Sequence, residues 1–435
     1  MGKANTQKFI TLSKYRYMFR RGGRFFLYAP LSNGFAELDE ETYMQLEAIG
    51  HGSSAALSDD VIDMLRCLKV ADVDEDSEVN RHKFNVLSHR FNPANLTLTI
   101  NPTLACNFAC PYCFEGTHPS TFMSDEVEDA IVRFVEKHEQ ARNLNITWFG
   151  GEPLLAFDRI VSLTRKLQAI GLNYWAGMIT NGYLLTRDKL EQFDNLKIRS
   201  VQVTIDGNES MHNSRRFLRS GGDTYDRIVA NVESAVEFAP QTRILVRVNV
   251  DGTNSNQFFE VFDAFERKKL PNVTVYPAFV SNPTGKGGSD CMYDCDAMAA
   301  FLRDAYLTRG YYSQMLFPEN ITRGCMARNP NSVVIGPEGE LYKCWNDVGD
   351  ATRSYGNING DINNESVLLD YLVKADYLNN AECNRCIFFT RCDGGCPYER
   401  IKKEKEGCNP NDCPMYTRHL EDFLTIRHDY RSKQK

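Results

Sequence analysis

Residues 96–113 read LTLTINPTLACNFACPYC, and this stretch decides both the fold and the site. The apolar alternation of LTLTI predicts a strand over residues 96–100 that runs directly into a loop. The loop carries Cys106, Cys110 and Cys113 in a C-x3-C-x2-C spacing. Three thiolates on one loop can hold three irons of a cubane iron–sulfur cluster and leave the fourth iron open. A zinc site, the alternative, usually needs four protein ligands, and one triplet does not supply them.

The composition narrows the classes of protein that fit. The chain has 435 residues, 14 cysteines and a net charge of −7. Its length predicts two or three domains, and its acidic balance argues against nucleic acid as the main partner. No secretory apolar run follows MGKANTQKFI and no run of about 18 apolar residues occurs, so we expect a cytoplasmic protein without a membrane span. In that compartment so many cysteines indicate metal or redox chemistry rather than disulfides.

Strand-like and helix-like segments alternate over residues 93–285. After the first strand, further strands are predicted at 145–150, 174–182, 200–207, 244–252 and 273–279. Helices are predicted at 124–140, capped by Ser124, at 157–171, ended by Gly171, and around 186–194, 223–238 and 254–268. This alternation implies parallel strands with right-handed crossovers. Six such units are fewer than the eight of a closed barrel, so the predicted fold is α/β with an open, partial (β/α)6 TIM-like barrel.

Distinctive motifs end the predicted strands, where parallel βα folds carry their chemistry. The GGEP motif at 150–153 either brings backbone close to a ligand or forms a strand-to-helix turn. Asn181, at the end of the third strand, either contacts a ligand or forms a local turn. Polar side chains also project from the fourth and fifth strands to one face. These are Gln202 and Asp206 on the fourth strand, and Arg247 and Asn249 on the fifth.

The cysteine triplet, with Tyr112 before its last member and GGEP one βα unit later, resembles the radical S-adenosylmethionine (SAM) superfamily. The resemblance implies that Cys106, Cys110 and Cys113 bind a 4Fe–4S cluster whose open iron chelates SAM. One electron then cleaves SAM, giving a 5′-deoxyadenosyl radical that abstracts hydrogen from unactivated C–H bonds. The cofactor-binding residues that it implies are Tyr112, Gly150, Gly151, Glu152, Thr180, Asn181, Gln202, Asp206 and Arg216.

The segment MHNSRR…TYDRIVANV after the fourth strand resembles the peptide-modifying members of the superfamily. We expect Arg215 or Arg216 to reach the SAM carboxylate as a charge-assisted pair. The alternative for either residue is an arginine in contact with solvent only.

The C-terminal third carries a second set of cysteines. The spacing C-x13-G-x4-C runs from Cys325 to Cys344, and C-x2-C-x5-C-x3-C follows over residues 383–396. This pattern resembles the SPASM extension, which binds two auxiliary 4Fe–4S clusters, three clusters in all with the SAM-binding one. The alternative is a zinc-ribbon-like module. The resemblance assigns Cys325, Cys344 and Cys396 to the first auxiliary cluster and Cys383, Cys386, Cys392 and Cys413 to the second, with Cys408 as the alternative to Cys413.

Two departures from that pattern bear on function. Some SPASM enzymes have a further ligand just before the position of Cys325, and this chain has none there. The first auxiliary cluster therefore keeps an open iron, or Cys291 or Cys295 supplies its fourth ligand. Sulfatase-maturing relatives place an aspartate base directly after the cysteine matching Cys344, whereas this chain has Trp345.

Residues 1–92 predict a small α+β unit. A hairpin is expected around Gly22–Gly23, followed by a strand, an aspartate-capped helix ended by Gly50, and a second capped helix from Ser58. The layout resembles the leader-recognition element of peptide maturases, which binds a peptide as an added edge strand. The alternative is a packing extension that closes the barrel. Cys67 is expected to be a buried core residue.

The sequence thus predicts four segments and one function. The segments are an N-terminal α+β domain (1–92), a radical SAM barrel (93–285), a linker (286–320) and a SPASM domain (321–435). The function is maturation of a ribosomally made precursor peptide through a thioether or carbon–carbon crosslink, with an auxiliary cluster accepting an electron. The partners are that peptide and a flavodoxin- or ferredoxin-like electron donor, without nucleic acid or membrane. The alternatives are a formylglycine-forming sulfatase maturase and a non-catalytic metal-binding scaffold.

Overall fold

The computed structural model describes residues 10–50, 57–72, 74–116, 118–282, 284–286, 291–317, 324–407 and 413–434. Cys408 lies outside the described residues. The strands are β1 (Tyr17–Arg21), β2 (Arg24–Ala29), β3 (Gly34–Leu38), β4 (Asn95–Ile100), β5 (Asn143–Trp148), β6 (Asn173–Thr180), β7 (Ile198–Thr204), β8 (Arg243–Val250), β9 (Val273–Phe279), β10 (Ser332–Ile335), β11 (Glu340–Tyr342) and β12 (Gly356–Asn357). The helices are α1 (Glu40–Gly50), α2 (Asp59–Cys67), α3 (Glu75–Arg90), α4 (Asp125–Glu136), α5 (Phe157–Ala169), α6 (Arg187–Leu190), α7 (Glu209–Arg215), α8 (Tyr225–Phe238), α9 (Phe258–Lys268), α10 (Cys295–Arg309), α11 (Glu365–Leu369), α12 (Ala381–Arg385), α13 (Pro397–Lys405) and α14 (Leu420–Ser432).

A nine-stranded sheet organises the molecule. Its strand order is β12-β11-β10-β4-β5-β6-β7-β8-β9, and β4 to β9 are parallel neighbours in chain order. This run of six parallel strands with intervening helices confirms the predicted partial barrel. The sheet does not end at β4, because β10 pairs with it in parallel and β11 and β12 follow antiparallel. The barrel and the cysteine-rich C-terminal part therefore share one sheet.

The sheet is buried against helices through alternate side chains. On β8, Ile244, Val246 and Val248 are fully buried, whereas Arg247 between them is partly open. Such alternation places an apolar face against the helices and leaves the other face toward the barrel interior. Ser124 caps α4 as predicted, its hydroxyl accepting from the Val127 N–H. Capping satisfies a backbone donor that the helix cannot satisfy itself.

Within residues 1–285 the sequence analysis missed two helices and overestimated one, and it predicted none of the helices from α10 onward. Helix α3 (Glu75–Arg90) has a polar sequence with weak apolar periodicity, and α7 (Glu209–Arg215) spans only seven residues. The helix predicted around 186–194 is the single turn α6 followed by turns. Short or polar helices depend on tertiary contacts for their stability. Their sequences show little apolar periodicity, so a periodicity-based prediction misses them.

The N-terminal hairpin forms as predicted. Gly22 and Gly23 have φ of +59° and +74° between the paired Arg21 and Arg24, as a two-residue hairpin turn requires. One face of the three-stranded sheet meets α1, with the rings of Phe25 and Tyr43 5.1 Å apart. The other meets α14, with Phe26 5.9 Å from His428. This unit therefore packs against the C-terminal helix.

The prediction that Cys67 is a core residue is wrong, because its side chain is exposed. Ile62 and Leu65 form the buried face of α2. Cys67 lies two positions beyond Leu65, and two residues along a helix turn the side chain to the opposite side. In the part of the chain that the structure describes, we find no helix with the length and apolarity needed to cross a membrane.

Candidate functional site

A cavity of about 370 Å³ opens at the carboxyl ends of the parallel strands. Its volume suits a small-molecule site. Cys106, Cys110 and Cys113 all line it, so the three cysteines singled out from the sequence face one space. Further lining comes from the ends of β5 to β9 and from Trp345 and Asn346 after β11.

The three cysteines suit an iron–sulfur cluster by chemistry and placement. Burial raises the pKa of the Cys106 thiol to about 12 and raises that of Cys110 as well. A metal centre reverses this preference, because thiolate ligands are held deprotonated by the metal charge. Among the described residues, no three His, Cys, Asp or Glu side chains are arranged to hold one metal ion. Cubane ligands bind separate irons and need not converge on one ion.

Gly150 and Gly151 line the cavity and pack against the cysteine loop. A Cβ on Gly151 would lie 2.4 Å from the carbonyl oxygens of Ala105 and Leu104, and one on Gly150 would lie 2.3 Å from the Thr103 oxygen. Gly150 also has φ of +113°, where side chains are strained. The two glycines therefore let the β5 end and the cysteine loop lie backbone to backbone.

Glu152 is fully buried and lies behind the cavity wall. Its carboxylate accepts from the Asn181 N–H at 2.7 Å, the Thr180 hydroxyl at 2.7 Å and the Leu154 N–H at 3.0 Å. The sequence analysis expected this residue to hold the cofactor. The structure instead surrounds its oxygens with the chain's own donors, so it joins the ends of β5 and β6.

Thr180 and Asn181 both line the cavity. The Asn181 side-chain oxygen accepts from the Tyr183 N–H at 3.0 Å, and its amide donates to Asn107 at 2.7 Å. Asn181 therefore forms the local turn and also faces the cavity. The Asn107 side-chain nitrogen is buried without a partner among the described residues.

Tyr112 joins the cysteine loop to β8 and the segment after β7. Its hydroxyl accepts from Arg216 at 2.7 Å and from the Asn249 amide at 3.3 Å. Arg216 is buried and lines the cavity, and its charge lowers the pKa of Cys110 against the rise caused by burial. Arg216 thus lies beside the cysteines.

Arg215 points away from the cavity. It pairs with Asp206 at 3.2 Å and Asp251 at 2.9 Å, and its guanidinium lies 4.9 Å from the centre of the Tyr112 ring. Asp206 is likewise absent from the cavity wall, since it follows the end of β7 and is buried against Arg215. Of the two arginines predicted to meet the SAM carboxylate, Arg216 is the one that faces the site.

Gln202, Arg247 and Asn249 line the opposite side of the cavity from the cysteine loop's strand. Gln202 accepts from the Tyr276 hydroxyl at 2.7 Å, and Arg247 donates from Nε to the Asn249 oxygen at 2.8 Å. The sequence analysis did not single out Tyr276, although it lies on the predicted sixth strand.

The C-terminal cysteines lie in two groups. Burial raises the pKa of Cys344, and the nearby Cys396 and Cys325 raise it further. Burial also raises the pKa of Cys386, with Cys392, Cys413 and Cys383 adding to it. Within each of the two predicted ligand sets, the described cysteines therefore lie close to one another. The Cys291 carbonyl accepts from the Gly252 N–H at 2.8 Å beyond β8, and Cys295 begins α10.

An aromatic wall was missed by the sequence analysis. Trp345, which is 41% exposed, lies 5.6 Å from Phe149, and Phe149 lies 6.5 Å from Phe114, centroid to centroid. All three rings line the cavity. The available signal was position, because each ring adjoins a motif residue: Cys113, Gly150 or Cys344.

Several known proteins are similar to this chain in sequence or in fold. Residues 100–274 match the radical SAM superfamily. The chain is 24% identical over 359 residues to a cysteine-type anaerobic sulfatase-maturating enzyme of Clostridium perfringens, covering 75% of this chain and 95% of that protein. It is 24% identical to the radical SAM cyclopropyl synthase TigE of Paramaledivibacter caminithermalis, over 67% of this chain and 65% of that one.

The fold is similar to that of Streptococcus suis SuiB bound to its precursor peptide SuiA. The TM-score is 0.54 at 16% identity, over 92% of this chain and 98% of that chain. Because this alignment leaves out only 8% of the chain, the likeness in fold extends into the first 92 residues.

The match and the cysteine-lined cavity at the strand ends define the class. The chain carries a radical SAM domain over residues 100–274. Such a domain implies an enzyme with one 4Fe–4S cluster and SAM as cofactors.

Proposed function

We propose that this enzyme is a peptide maturase that forms an intramolecular crosslink in a ribosomally made precursor peptide. The observation that carries the proposal is the position of Trp345. It follows Cys344 directly and lies in the wall of the cavity that holds Cys106, Cys110 and Cys113. A substrate residue in this cavity therefore contacts both the SAM-binding loop and the segment proposed to hold an auxiliary cluster.

The chain's own residues take distinct parts. Cys106, Cys110 and Cys113 hold the SAM-binding cluster, which, when loaded with SAM, supplies a carbon-centred radical that removes a hydrogen atom from the substrate. Gly150, Gly151 and Arg216 line the cavity. The backbone of the two glycines would hold the cofactor's amino group, and Arg216 would offer a cation to its carboxylate.

Further side chains shape and shield the site. Asn181 faces the cofactor's ribose, and Glu152 holds the Gly-Gly turn and Asn181 in register. The aromatic wall covers the reacting centre against water.

The C-terminal cysteines are proposed to bind two auxiliary 4Fe–4S clusters. Cys325, Cys344 and Cys396 serve the first, and Cys383, Cys386, Cys392 and Cys413 serve the second. Closing a crosslink between a carbon radical and an S–H, N–H or C–H partner releases one proton and one electron. An auxiliary cluster held by these cysteines would accept that electron, and a flavodoxin- or ferredoxin-like carrier would be the partner that removes it.

A sulfatase maturase is the second candidate, because the 24% identical Clostridium relative has that name. The environment of Asp347, the nearest aspartate after Cys344, disfavours the sulfatase-maturase function. Asp347 is buried and accepts from the Tyr371 hydroxyl at 2.6 Å and from Arg353 at 3.0 Å. It is held away from the cavity, so it is not placed to act as a base there.

Residues 1–92 are proposed to assist in binding the peptide. In the described part of the chain, β1 and β3 form the two edges of the small sheet, and edge strands are templates for added strands. A cytoplasmic location is proposed because labile thiolate clusters need reducing surroundings.

The test is anaerobic reconstitution of the full chain with SAM and reductant. Iron content and 5′-deoxyadenosine are measured, then two kinds of peptide are offered: a C-x-P-x-R sulfatase peptide and any short precursor peptide encoded by a neighbouring gene. Loss of a pair of hydrogens from the precursor peptide is the expected result. Conversion of the sulfatase peptide alone would establish the second candidate, and no SAM cleavage at all would overturn both.

A further inference from the structure

Two guanidinium groups line the cavity, those of Arg216 and Arg247. SAM brings one carboxylate. We propose that Arg247 forms a subsite for a carboxylate of the peptide substrate, either an Asp or Glu side chain or a free C-terminus. The proposal rests on the peptide-maturase function above and specifies its substrate.

The position of Arg247 favours the substrate over the cofactor. Arg216 lies beside the cysteines, as its effect on the pKa of Cys110 shows, and the SAM carboxylate must bind at the iron those cysteines hold. Arg247 lies on β8, in register with Thr204 of β7 and Tyr276 of β9. Arg247 lies two residues before Asn249 on β8, so both side chains leave the same face of the strand, and Arg247 is the one farther from the carboxyl end.

Arg247 is held in place before any ligand binds. Its Nε donates to the Asn249 oxygen at 2.8 Å, and the Asn249 amide in turn donates to the Tyr112 hydroxyl at 3.3 Å. Nε is thereby occupied, and the guanidinium also lies within hydrogen-bonding reach of the Tyr276 hydroxyl on the neighbouring strand. Both contacts are with neutral groups, so the charge of the guanidinium stays available to a carboxylate. A guanidinium oriented in this way loses little conformational entropy on binding.

Arg247 also has an unmatched charge. None of the ion pairs formed by the described residues includes it, whereas Arg215 pairs with both Asp206 and Asp251. Arg247 is partly buried, and a substrate carboxylate at this place would supply the opposite charge that the described residues do not.

The aromatic wall of the cavity indicates which kind of residue lies next to that carboxylate in the peptide. Phe114, Phe149 and Trp345 present aromatic surface to the same cavity. Aromatic and aliphatic side chains bury well on such surface. The structure therefore points to a peptide in which an apolar or aromatic residue lies close to a carboxylate.

Direct binding tests the proposal without turnover. The full-length, reconstituted, SAM-loaded protein is titrated calorimetrically with three synthetic peptides. They are Ac-Gly-Phe-Gly-Asp-Gly-NH2, the same peptide with Asn for Asp, and the Asn peptide with a free C-terminal carboxylate. We expect at least one carboxylate peptide to bind about tenfold more tightly than the Asn amide, as charged hydrogen bonds provide. Which of the two binds more tightly identifies the source of the carboxylate.

Variants connect that preference to one residue. Arg247→Gln should abolish the preference and Arg247→Lys should keep part of it, since lysine retains the charge and loses the fork. Arg199→Gln, which removes an arginine paired with Asp194 outside the cavity, should keep the preference in full.

Three results would overturn the proposal: equal or undetectable binding of all three peptides by the wild type, a preference that survives in Arg247→Gln, or a loss of SAM affinity in Arg247→Gln as large as the loss of peptide affinity. The last result would assign Arg247 to the cofactor. Because no step requires chemistry, failure here is separate from failure of the crosslinking function, which is read from the product.

Discussion

The buried carboxylate of Glu152 accepts a 2.7 Å hydrogen bond from the backbone N–H of Asn181. Asn181 directly follows β6, while Glu152 follows the Gly-Gly turn that comes after β5. One side chain therefore holds together two loops that line the cavity. Because its oxygens are surrounded by protein donors, we propose that Glu152 acts on SAM binding indirectly, through the position of those loops.

Glu152→Gln tests that role. The amide places a donor where the Asn181 N–H or the Thr180 hydroxyl needs an acceptor, and an unsatisfied buried donor costs about 2 kcal/mol. We expect a lower unfolding midpoint and weaker SAM binding, measured by thermal unfolding and calorimetry. Glu136→Gln, at the exposed end of α4, is the control. An unchanged SAM affinity would remove Glu152 from the positioning of the site.

Gly151→Ala tests the contact between the GGEP turn and the cysteine loop. The added Cβ meets two backbone oxygens at 2.4 Å, and overpacking of this kind costs about 1–3 kcal/mol. The displaced loop should incorporate less iron, which is measured by metal analysis after reconstitution. Gly360→Ala, where no atom lies within 4 Å of the new Cβ, should incorporate iron normally. Full iron loading of Gly151→Ala would show that the loops do not need this close contact.

Removing the cysteine triplet tests the count of clusters. Three cubanes predict about 12 irons per chain, and Cys106/Cys110/Cys113→Ala should hold about 8. The variant should form no 5′-deoxyadenosine. A wild type with about 4 irons that still cleaves SAM would leave the C-terminal cysteines without clusters.

Trp345→Ala tests the aromatic wall. Loss of the contact with Phe149 and of the apolar surface should lower kcat/KM for the peptide about tenfold, as aromatic contacts of this kind contribute. SAM cleavage should fall less, so the ratio of product to 5′-deoxyadenosine drops. Trp345→Phe should keep most of the coupling. A uniform loss of both products would instead indicate general damage to the site.

Glu128 provides a prediction about pH. Burial raises its pKa, but hydrogen bonds from Lys166, Ser162 and Arg159 outweigh burial and hold the pKa below its usual 4.5. A depressed carboxyl pKa adds stability that is fully present above the unfolded-state pKa and is lost as pH falls through the folded one. The wild type should therefore lose this contribution below about pH 4.5.

The matching variant is Glu128→Gln. It should unfold more easily at pH 7, by about 1–3 kcal/mol, and show a shallower loss of stability in acid. Unfolding midpoints between neutral and acidic pH measure both effects. A parallel curve for variant and wild type would exclude Glu128 as the source of the acid sensitivity.

Local signals in the sequence were enough for most of the barrel. The strands β4 to β9, the hairpin at Gly22–Gly23 and the Ser124 cap depend on nearest-neighbour chemistry and periodicity, and they appear where predicted. Helix α3 was missed and Cys67 was wrongly predicted to be buried, because the buried face of a helix depends on the elements that pack against it. Only the fold brings Tyr377 and Phe389 against Val86 of α3.

The sequence alone determined that three thiolates share one loop after a strand and that a glycine turn follows one βα unit later. Spacing along the chain fixes these features. Tertiary structure decided which of Arg215 and Arg216 faces the cavity, that Glu152 supports the site from behind, and that Trp345 joins its wall. Contacts between residues distant in the chain decide these features, such as Glu152 with Asn181 and Phe149 with Trp345. Their direction depends on how strands and helices pack, which no local pattern encodes.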